Sequence, residues 1–221
     1  MTACVRTEEI VVIDAGRIKG IIYDCDGVLV DSVESNVAYY NHILTRFDLP
    51  VLDESWMNLV LTGTGKGVLE ALFKGSPFIG DALELQRQLP PEAFLDLVRP
   101  EPQVHDVLRQ MRMRYHTAVA TNRGKSLVPL LEMLELKDLF DVIVTSNDVT
   151  RHKPDPQCVS IILDRLGLEP GETLYVGDSD VDRETAARAG TPFAAYRNKA
   201  LKADLHLPDH VHLLKVLISG C

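Results

Sequence analysis

Short apolar runs that alternate with stretches of helical periodicity constrain the fold of this chain more than any other sequence feature. The apolar runs cover residues 19–23, 116–120, 141–144, 173–176 and, more weakly, 192–195. Helical patterns follow the second, third and fourth runs, over residues 126–136, 158–166 and 179–189, the last with Gly190 as its predicted C-cap. Strands that alternate with helices are typical of parallel sheets. The sequence therefore predicts an α/β protein with a mostly parallel sheet.

The stretch between the first and second runs differs, because it contains no convincing strand. Its helical segments are separated by breaks rich in glycine and proline, at residues 48–50, 63–67, 75–77 and 90–91. Such residues end helices and form turns. The two prolines of residues 99–102 favour a stiff, extended return connection. These features predict an all-helical domain over residues 32–99, inserted into a core domain formed by residues 1–31 and 100–221.

The residues before the first run indicate an addition to this core. Residues 9–14 are rich in β-branched residues and are followed by Ala15 and Gly16, a pair suited to a tight turn. Two strands joined by a tight turn form a β-hairpin. We therefore expect residues 9–14 to pair with the run at residues 19–23.

The composition limits the classes of partner. Apolar residues make up 46% of the 221 residues, which is enough for a sizeable buried core. The formal net charge is -9. This net negative charge argues against a nucleic acid or an anionic membrane as partner, because both bind to a basic face. An anionic substrate would need basic side chains concentrated at its binding site.

The cysteines and the N-terminal residues indicate the compartment. Cys4, Cys25, Cys158 and Cys221 share no CxxC spacing, which is typical of reduced thiols in a cytosolic protein. No apolar run is long enough to span a bilayer. Acidic residues interrupt the N-terminal region where a signal peptide needs an unbroken apolar stretch. We therefore expect a cytoplasmic protein.

Two carboxylates follow the first apolar run, in the segment DCDGVLVDS. Asp24 lies at the end of the predicted strand and Asp26 in the loop after it, where Gly27 lets the backbone turn sharply. Open α/β sheets bind ligands beyond the carboxyl ends of their strands. One carboxylate there can attack phosphorus while the other transfers a proton. The alternative is that both acids only cap a turn, but the apolar run before them and the extension after them favour a catalytic role.

A second acidic cluster, GDSDVD, follows the fourth run. Its Asp178, Asp180 and Asp182 are expected at the same edge of the sheet as the first pair of carboxylates. Mg2+ prefers oxygen ligands and retains several waters, so two or three carboxylates are enough to bind it. An N-cap is the alternative for Asp178 or Ser179. Capping does not explain so many acids in one place, because their mutual repulsion requires a cation.

The segments after the second and third runs add groups suited to a phosphate. Thr121 and Asn122 offer a hydroxyl and backbone N–H groups at a helix start, although a simple N-cap is the commoner role of such a pair. Lys153 is held between His152 and Pro154. Most lysines are solvated surface charges. In this arrangement a lysine can instead screen an anionic nucleophile and a phosphoryl group.

Taken together, these segments resemble the haloacid dehalogenase (HAD) superfamily, subfamily I, and within it the phosphoglycolate phosphatase-like branch. The matching motifs are DxDGVLVDS, the TN pair, KPDP and GDSxxD, and the resemblance extends over residues 19–217. It implies a Rossmann-like, doubly wound α/β/α core with a parallel sheet, and a helical cap domain inserted after the first strand. It also implies a Mg2+-dependent phosphatase that acts on a small-molecule phosphate ester. We expect a monomer or a homodimer.

The resemblance implies a catalytic role for each motif residue. Asp24 would attack the phosphate and form an aspartyl-phosphate. Asp26 would protonate the leaving alcohol and then activate the water that hydrolyses the intermediate. Thr121 and the backbone of Asn122 would bind the phosphoryl oxygens, and Lys153 would stabilise the charges of the nucleophile and the phosphate.

The same resemblance implies the metal ligands. Mg2+ would be held by Asp24, the backbone carbonyl of Asp26, and Asp178. Asp182 would be a further ligand or would orient the metal's surroundings. Asp180 lies outside the family's spacing and is not included.

Three glycines and a lysine make residues 61–67 the most unusual segment of the predicted helical domain. We expect this loop to reach over the active site, with Lys66 contacting the anionic part of a substrate. A flexible turn with an exposed lysine is the alternative.

Related activities differ at these positions. A phosphonoacetaldehyde hydrolase uses a cap lysine, and Lys66 lies in the relevant part of the cap, but such enzymes lack an acid where this chain has Asp26. A haloacid dehalogenase needs neither the second aspartate nor the metal site. A β-phosphoglucomutase-like phosphotransferase keeps both acids and stays open as an alternative. A catalytically silent binding protein with the HAD fold is disfavoured, because every catalytic position is filled.

Overall fold

The computed structural model describes residues 13–219. The strands are β1 (Gly20–Tyr23), β2 (Val30–Asp31), β3 (Arg99–Pro100), β4 (His116–Ala120), β5 (Val142–Val144), β6 (Thr173–Gly177), β7 (Phe193–Tyr196) and β8 (Leu205–Leu207). The α-helices are α1 (Val33–Thr45), α2 (Met57–Thr62), α3 (Gly65–Leu72), α4 (Ile79–Gln88), α5 (Val104–Arg112), α6 (Leu127–Met133), α7 (Gln157–Leu166), α8 (Asp180–Ala189) and α9 (His210–Ser219). Within residues 13–219, none of these helices combines the length and apolar character needed to cross a membrane.

The main sheet is parallel and has the strand order β5-β4-β1-β6-β7-β8. Strands β1 and β6 are buried along their whole length, because apolar helices cover both faces of the sheet. Helices α5, α6 and α9 pack on one face, and α7 and α8 pack on the other. This arrangement confirms the predicted α/β, Rossmann-like core.

The sheet grows in two directions from β1. Strands β4 and β5 extend it on one side of β1, whereas β6, β7 and β8 extend it on the other. Such a reversal leaves a crevice beyond the carboxyl ends of the strands at the switch point. A ligand site is therefore expected at the ends of β4, β1 and β6.

Residues 32–99, which we call the helical insert, are built separately from the sheet. Helices α1 to α4 lie in this range, and their apolar side chains form a cluster of their own that includes Ile43, Val68, Leu69 and Phe73. The short antiparallel pair β2 and β3 connects the insert to the core. That the insert is a separate domain stays a prediction.

The observed elements differ from the predicted ones mainly at their ends. The five strands predicted from the apolar runs form, each displaced by no more than one residue at either end. Helix α6 ends before the predicted residue 136, because Glu135 has a positive φ of 54°. Gly190 caps α8 as predicted, with a φ of 76°. Strand β8 and the pair β2 and β3 were not predicted, because runs of two or three residues have no recognisable periodicity.

The predicted N-terminal strand at residues 9–14 lies mostly outside the described residues. The turn after it is observed, since the backbone N–H of Gly16 donates to Oδ1 of Asp14 at 3.1 Å. The predicted pairing of residues 9–14 with β1 is wrong, because β4 and β6 already pair with both edges of β1 over Gly20–Tyr23.

Candidate active site

Four neighbouring strands end side by side and carry candidate residues on the loops that follow them. Asp24 follows β1, and Thr121 follows β4. Lys153 lies in the loop after β5, and Asp178 follows β6. The order β5-β4-β1-β6 makes these strands adjacent. Because parallel strands share one carboxyl edge, residues far apart in the chain converge there.

The convergence centres on Lys153, a buried cation between two aspartates. Its Nζ lies 2.7 Å from Oδ1 of Asp182 and 2.9 Å from Oδ1 of Asp24, and its side chain is 3% exposed. Nζ also donates to the hydroxyl of Tyr175 at 3.2 Å. Burial disfavours the charged amine, but the two carboxylates outweigh this effect and hold the pKa of Lys153 well above its usual value. Lys153 is therefore fixed as a cation beside Asp24.

Asp182 is completely buried, and donors already occupy both of its oxygens. Oδ1 accepts from Lys153 and, at 3.1 Å, from the hydroxyl of Tyr175. Oδ2 accepts from the backbone N–H and the hydroxyl of Ser179, and Ser179 is also the N-cap of α8. Gly177 permits this packing, because a Cβ there would lie 2.3 Å from Cβ of Asp182. Asp182 is thus better suited to orient Lys153 than to bind an ion directly.

Three carboxylates meet at the ends of β1 and β6. Oxygen atoms of Asp24, Asp178 and Asp182 lie within 4.8 Å of one another. Burial, followed by the charge of Asp182, raises the pKa of Asp24 to about 7 and that of Asp178 to about 8. A cation in the cluster would oppose this rise, because it favours the charged form of each carboxylate. A donor set made of carboxylate oxygens fits a hard divalent cation.

One oxygen of Asp24 has a single charged partner. Nζ of Lys153 lies 2.9 Å from Oδ1 of Asp24, and no other group within residues 13–219 donates a hydrogen bond to this buried atom. Buried carboxylate oxygens are normally hydrogen-bonded. The ammonium of Lys153 favours the ionised form of Asp24, which is the form that can attack phosphorus.

Gly27 allows Asp178 to approach the loop that carries Asp24. Its φ is 78°, in the left-handed region, and a Cβ at this position would lie 2.1 Å from Oδ2 of Asp178. Any other residue would therefore be strained and would collide with a candidate metal ligand. Glycine is therefore required at this position of the DxDG segment for two independent reasons, its backbone conformation and the close approach of Asp178.

Asp26 is held by an arginine that the sequence analysis did not single out. Nε of Arg123 donates to Oδ2 of Asp26 at 3.1 Å, and Nη2 donates to Oδ1 at 2.5 Å. The hydroxyl of Ser32 also donates to Oδ1. Burial would raise the pKa of Asp26, but the charge and hydrogen bonds of Arg123, together with Ser32, lower it below its usual value. Both oxygens of this carboxylate are therefore held in place.

Thr121 and Asn122 fix the loops around the site through their side chains. Oγ1 of Thr121 accepts the backbone N–H of Arg123 at 3.1 Å. Oδ1 of Asn122 accepts the backbone N–H of Lys153 at 3.1 Å. Nδ2 of Asn122 donates to the carbonyl of Thr62 at 2.8 Å and to that of Lys153 at 3.3 Å. Asn122 thus joins the loops after β4 and β5 to the helical insert.

A cavity of about 470 Å³ lies between these core loops and the helical insert. Asp24, Asp26 and Lys153 line it from the core, and Tyr40 and Lys66 are among the residues that line it from the insert. Small-molecule sites commonly have this size. The cavity therefore places the candidate nucleophile and proton-transfer residue where a small ligand could reach both.

Lys66 is exposed to solvent, in contrast to the buried site residues of the core. Its side chain is 72% exposed, and its Nζ lies 3.5 Å from Glu70 on the same helix. Lys66 lies in the wall of the cavity, and its contact with a substrate stays a prediction.

Two basic residues of the loop after β4 were missed by sequence reasoning. Arg123 binds Asp26, as described above. Nζ of Lys125 donates to the carbonyls of Gln86, Arg87 and Leu89 at the end of α4, at 3.1, 3.1 and 2.6 Å. Basic residues in polar loops are ordinarily solvated charges. The available signal was the clustering of an arginine and a lysine directly after the TN pair.

Comparisons with known proteins identify the family. The family described as "Haloacid dehalogenase-like hydrolase" matches residues 21–196. The chain is 27% identical to the phosphoglycolate phosphatase of Escherichia coli, with 88% of each chain covered. It is 29% identical to the N-acetylmuramic acid 6-phosphate phosphatase of Pseudomonas aeruginosa, with 82% of each chain covered.

A solved structure supports the same assignment. The HAD-superfamily hydrolase of subfamily IA from Geobacter sulfurreducens is 32% identical to this chain and superimposes with a TM-score of 0.75. The match covers 91% of this chain and 97% of that one. The chain therefore belongs to the haloacid dehalogenase-like hydrolase family, and its relatives place it among the phosphoglycolate phosphatase-like hydrolases of phosphoric monoesters.

Proposed function

We propose that the protein is a Mg2+-dependent phosphatase that hydrolyses a small phosphate monoester through an aspartyl-phosphate on Asp24. The observation that carries the proposal is the position of Asp24, between the buried cation Lys153 and a cluster of carboxylates suited to a divalent ion. An anionic nucleophile can approach an anionic phosphate only where positive charge offsets their repulsion. Lys153, together with the divalent cation that the carboxylates would hold, supplies that charge in an acidic chain.

The reaction proceeds in two steps that use the same two aspartates. First, an oxygen of Asp24 bonds to phosphorus, the bond from phosphorus to the leaving alcohol breaks, and Asp26 in its protonated form gives its proton to the departing oxygen. This form is the minor one at neutral pH, because Arg123 lowers the pKa of Asp26. Second, a water oxygen bonds to phosphorus while Asp26 accepts a proton from that water, and the bond to Asp24 breaks. The products are the alcohol and inorganic phosphate, and both aspartates return to their starting state.

The neighbouring groups bind and orient the phosphoryl group. The hydroxyl of Thr121 and the backbone of Asn122 donate to its oxygens, and Lys153 offsets the charge that they carry. In the described structure Oγ1 of Thr121 accepts from Arg123, which leaves its own proton free to be donated.

The residues present fit a bound Mg2+. Asp24, Asp178 and the backbone carbonyl of Asp26 would hold it. When bound, the ion neutralises charge on the nucleophile and on the phosphoryl oxygens. Asp182 acts through Lys153, because donors occupy both of its oxygens.

We further propose that the helical insert is a cap domain that bounds the substrate site. The cavity of about 470 Å³ between insert and core suits a small ester such as phosphoglycolate or a sugar phosphate. The named phosphatases of Escherichia coli and Pseudomonas aeruginosa support this substrate class. The cytoplasmic location, and the monomeric or homodimeric state, stay predictions.

Phosphate release from a panel of monoesters, with and without Mg2+, tests the proposal. We expect Asp24→Asn to lower kcat by about 10,000-fold or more, because it removes the nucleophile. Asp180→Asn is the matched control, since Asp180 is exposed and pairs with Arg183 in the same acidic segment. It should behave like the wild type.

Three results would contradict the proposal. They are substantial turnover by Asp24→Asn, turnover that a metal chelator does not abolish, and equal losses in Asp24→Asn and Asp180→Asn. Isomerisation of a hexose phosphate without phosphate release would favour the phosphotransferase instead.

A further inference from the structure

Arg123 and Asp26 form a buried ion pair inside the cavity. Their side chains are 8% and 10% exposed. The guanidinium uses Nε and Nη2 to reach both carboxylate oxygens, while Nη1 donates to Oγ of Ser126 at 3.2 Å. The arginine therefore binds the carboxylate through two parallel hydrogen bonds and is itself held by a third.

The backbone of Arg123 is also fixed on both sides. Its N–H donates to Oγ1 of Thr121 at 3.1 Å, and its carbonyl accepts the N–H of Ser146 at 3.2 Å. The guanidinium thus projects from a loop that is tied to the ends of β4 and β5. Its position relative to Asp26 is set by the core of the protein.

We propose that Arg123 is the positioning residue for proton transfer, which holds the carboxylate plane of Asp26 so that one oxygen faces the leaving-group oxygen of the substrate. This inference rests on the proposed function. Arg123 acts through Asp26, and Asp26 makes the contact with the reacting atoms.

The geometry favours positioning over a general effect of charge. A planar guanidinium that binds both oxygens fixes the direction and the rotation of a carboxylate, whereas an ammonium fixes only one point. Ser32 at the start of the helical insert donates to the same Oδ1 that Nη2 of Arg123 binds. Oδ1 accepts two hydrogen bonds and Oδ2 accepts one, so Oδ2 keeps a lone pair that can carry the transferred proton. Proton transfer needs donor and acceptor within hydrogen-bond reach, so a rotated Asp26 side chain transfers its proton slowly.

Esters with poor and good leaving groups separate positioning from phosphate binding. An alkyl alcohol needs the proton from Asp26 in order to leave, whereas p-nitrophenolate leaves without it. We expect Arg123→Met to lower kcat/KM by about 100-fold for the alkyl phosphate that the wild type hydrolyses best, and by less than about 5-fold for p-nitrophenyl phosphate. Arg123→Lys should recover part of the lost activity, since it retains a donor.

The second step gives an independent signature. Water activation also depends on Asp26, so hydrolysis of the aspartyl-phosphate should become slow in Arg123→Met. With p-nitrophenyl phosphate, this variant should release a burst of p-nitrophenolate equal to the amount of enzyme, followed by slow steady turnover.

A double variant tests the same point in a protein that has no buried charge left unpaired. If Arg123 acts only through Asp26, adding Arg123→Met to Asp26→Asn leaves kcat/KM for the alkyl phosphate unchanged. This comparison does not depend on whether Arg123→Met folds by itself.

Each opposite outcome overturns the inference. Equal losses for the two esters, unchanged kcat/KM for the alkyl phosphate, or a further loss in the double variant would show that Arg123 does not act by positioning Asp26. Failure of the proposed function is distinguishable, because the wild type would then lack phosphate release that depends on Asp24.

Discussion

The catalytic edge of the core and the helical insert place their charged residues in opposite environments. At the core edge, the charged side chains are buried and pair with one another: Asp24, Asp26, Arg123, Lys153 and Asp182. In the insert, each pair lies on one helix and most of each side chain is exposed: Lys66 with Glu70, and Glu84 with Arg87. The same kinds of residue are therefore fixed in one region and solvated in the other.

The difference has an energetic consequence. Removal of one partner from a buried ion pair costs about 3–5 kcal/mol, because the other charge is left without compensation. An exposed pair contributes about 0–1 kcal/mol. Substitutions at the core edge should therefore change the chemistry strongly, and substitutions in the insert should change access to the site weakly. The following predictions test this contrast.

The largest expected effect comes from two glycines that share a backbone conformation. Gly27 in the core has a φ of 78° and Gly75 in the insert has a φ of 81°. A Cβ at Gly27 collides with Asp178, whereas a Cβ at Gly75 has no atom within 4 Å. We expect Gly75→Ala to lose about 1–2 kcal/mol of stability and Gly27→Ala to lose more, because of its collision with Asp178. Only Gly27→Ala should lose activity, by about 100-fold.

Thermal unfolding and Mg2+ titration of phosphate release measure these two quantities. Gly27→Ala should also need more Mg2+ to reach half of its maximal activity, because Asp178 is displaced. Equal losses of activity in the two variants would remove the contrast between the core and the insert.

The second prediction concerns His210, which anchors the loop that leads from the core into the insert. Its Nε2 lies 2.7 Å from the carbonyl of Val28 and therefore carries the proton, because a carbonyl can only accept. Burial lowers the pKa of His210 to about 4. The unfolded chain binds this proton near pH 6.5 and the folded chain only near pH 4, so stability is lost as the pH falls through this window.

The expected loss is at most about 3 kcal/mol between pH 6.5 and pH 4. The free energy of unfolding, measured by urea denaturation across this window, should fall less steeply for His210→Gln than for the wild type. His206→Gln is the control, because His206 is exposed. Identical slopes for the wild type and His210→Gln would refute the prediction.

The third prediction concerns the contact between Lys125 and the end of α4. Lys125→Met removes a cation from three helix-terminal carbonyls. We expect KM to rise about 5-fold, equivalent to about 1 kcal/mol, with little change in kcat, because the contact closes the wall of the cavity and takes no part in the chemistry.

Steady-state kinetics and hydrogen exchange at residues 84–89 check this expectation, since these amides should exchange faster in the variant. Lys137→Met is the matched control, because Lys137 pairs with Glu132 in the core. A fall in kcat as large as the rise in KM would show that Lys125 takes part in the chemical step. The contrast between the core edge and the insert would then be weaker.

The smallest expected effect is at Lys66. Lys66→Ala should raise KM about 2- to 3-fold with unchanged kcat, because this exposed lysine can contribute only a weak contact to an anionic substrate. Lys74→Ala, an exposed lysine elsewhere in the insert, is the control. Unchanged KM for every accepted substrate would remove Lys66 from the set of binding residues.

The core strands and the polar residues at their ends could be predicted from local patterns in the chain. Burial on both faces requires continuous apolar runs, and a ligand site requires polar residues where those runs stop, so both leave a local pattern. Asp24, Thr121, Lys153 and Asp178 could be found in this way. The spacing of the glycine and proline breaks likewise predicts the limits of the helical insert, which stay a prediction.

Which of these residues contact one another depends on the three-dimensional fold and could not be predicted. Arg123 pairs with Asp26, and Asp182 accepts hydrogen bonds at both carboxylate oxygens. Asn122 donates a hydrogen bond to the carbonyl of Thr62 in the insert. Such contacts depend on the strand order of the sheet. The loops that carry these residues are neighbours because the strands lie in the order β5-β4-β1-β6, which is not their order in the chain. A charged residue on a loop has the same appearance in the sequence whether it is solvated or buried, because its burial depends on distant segments rather than on its own neighbours.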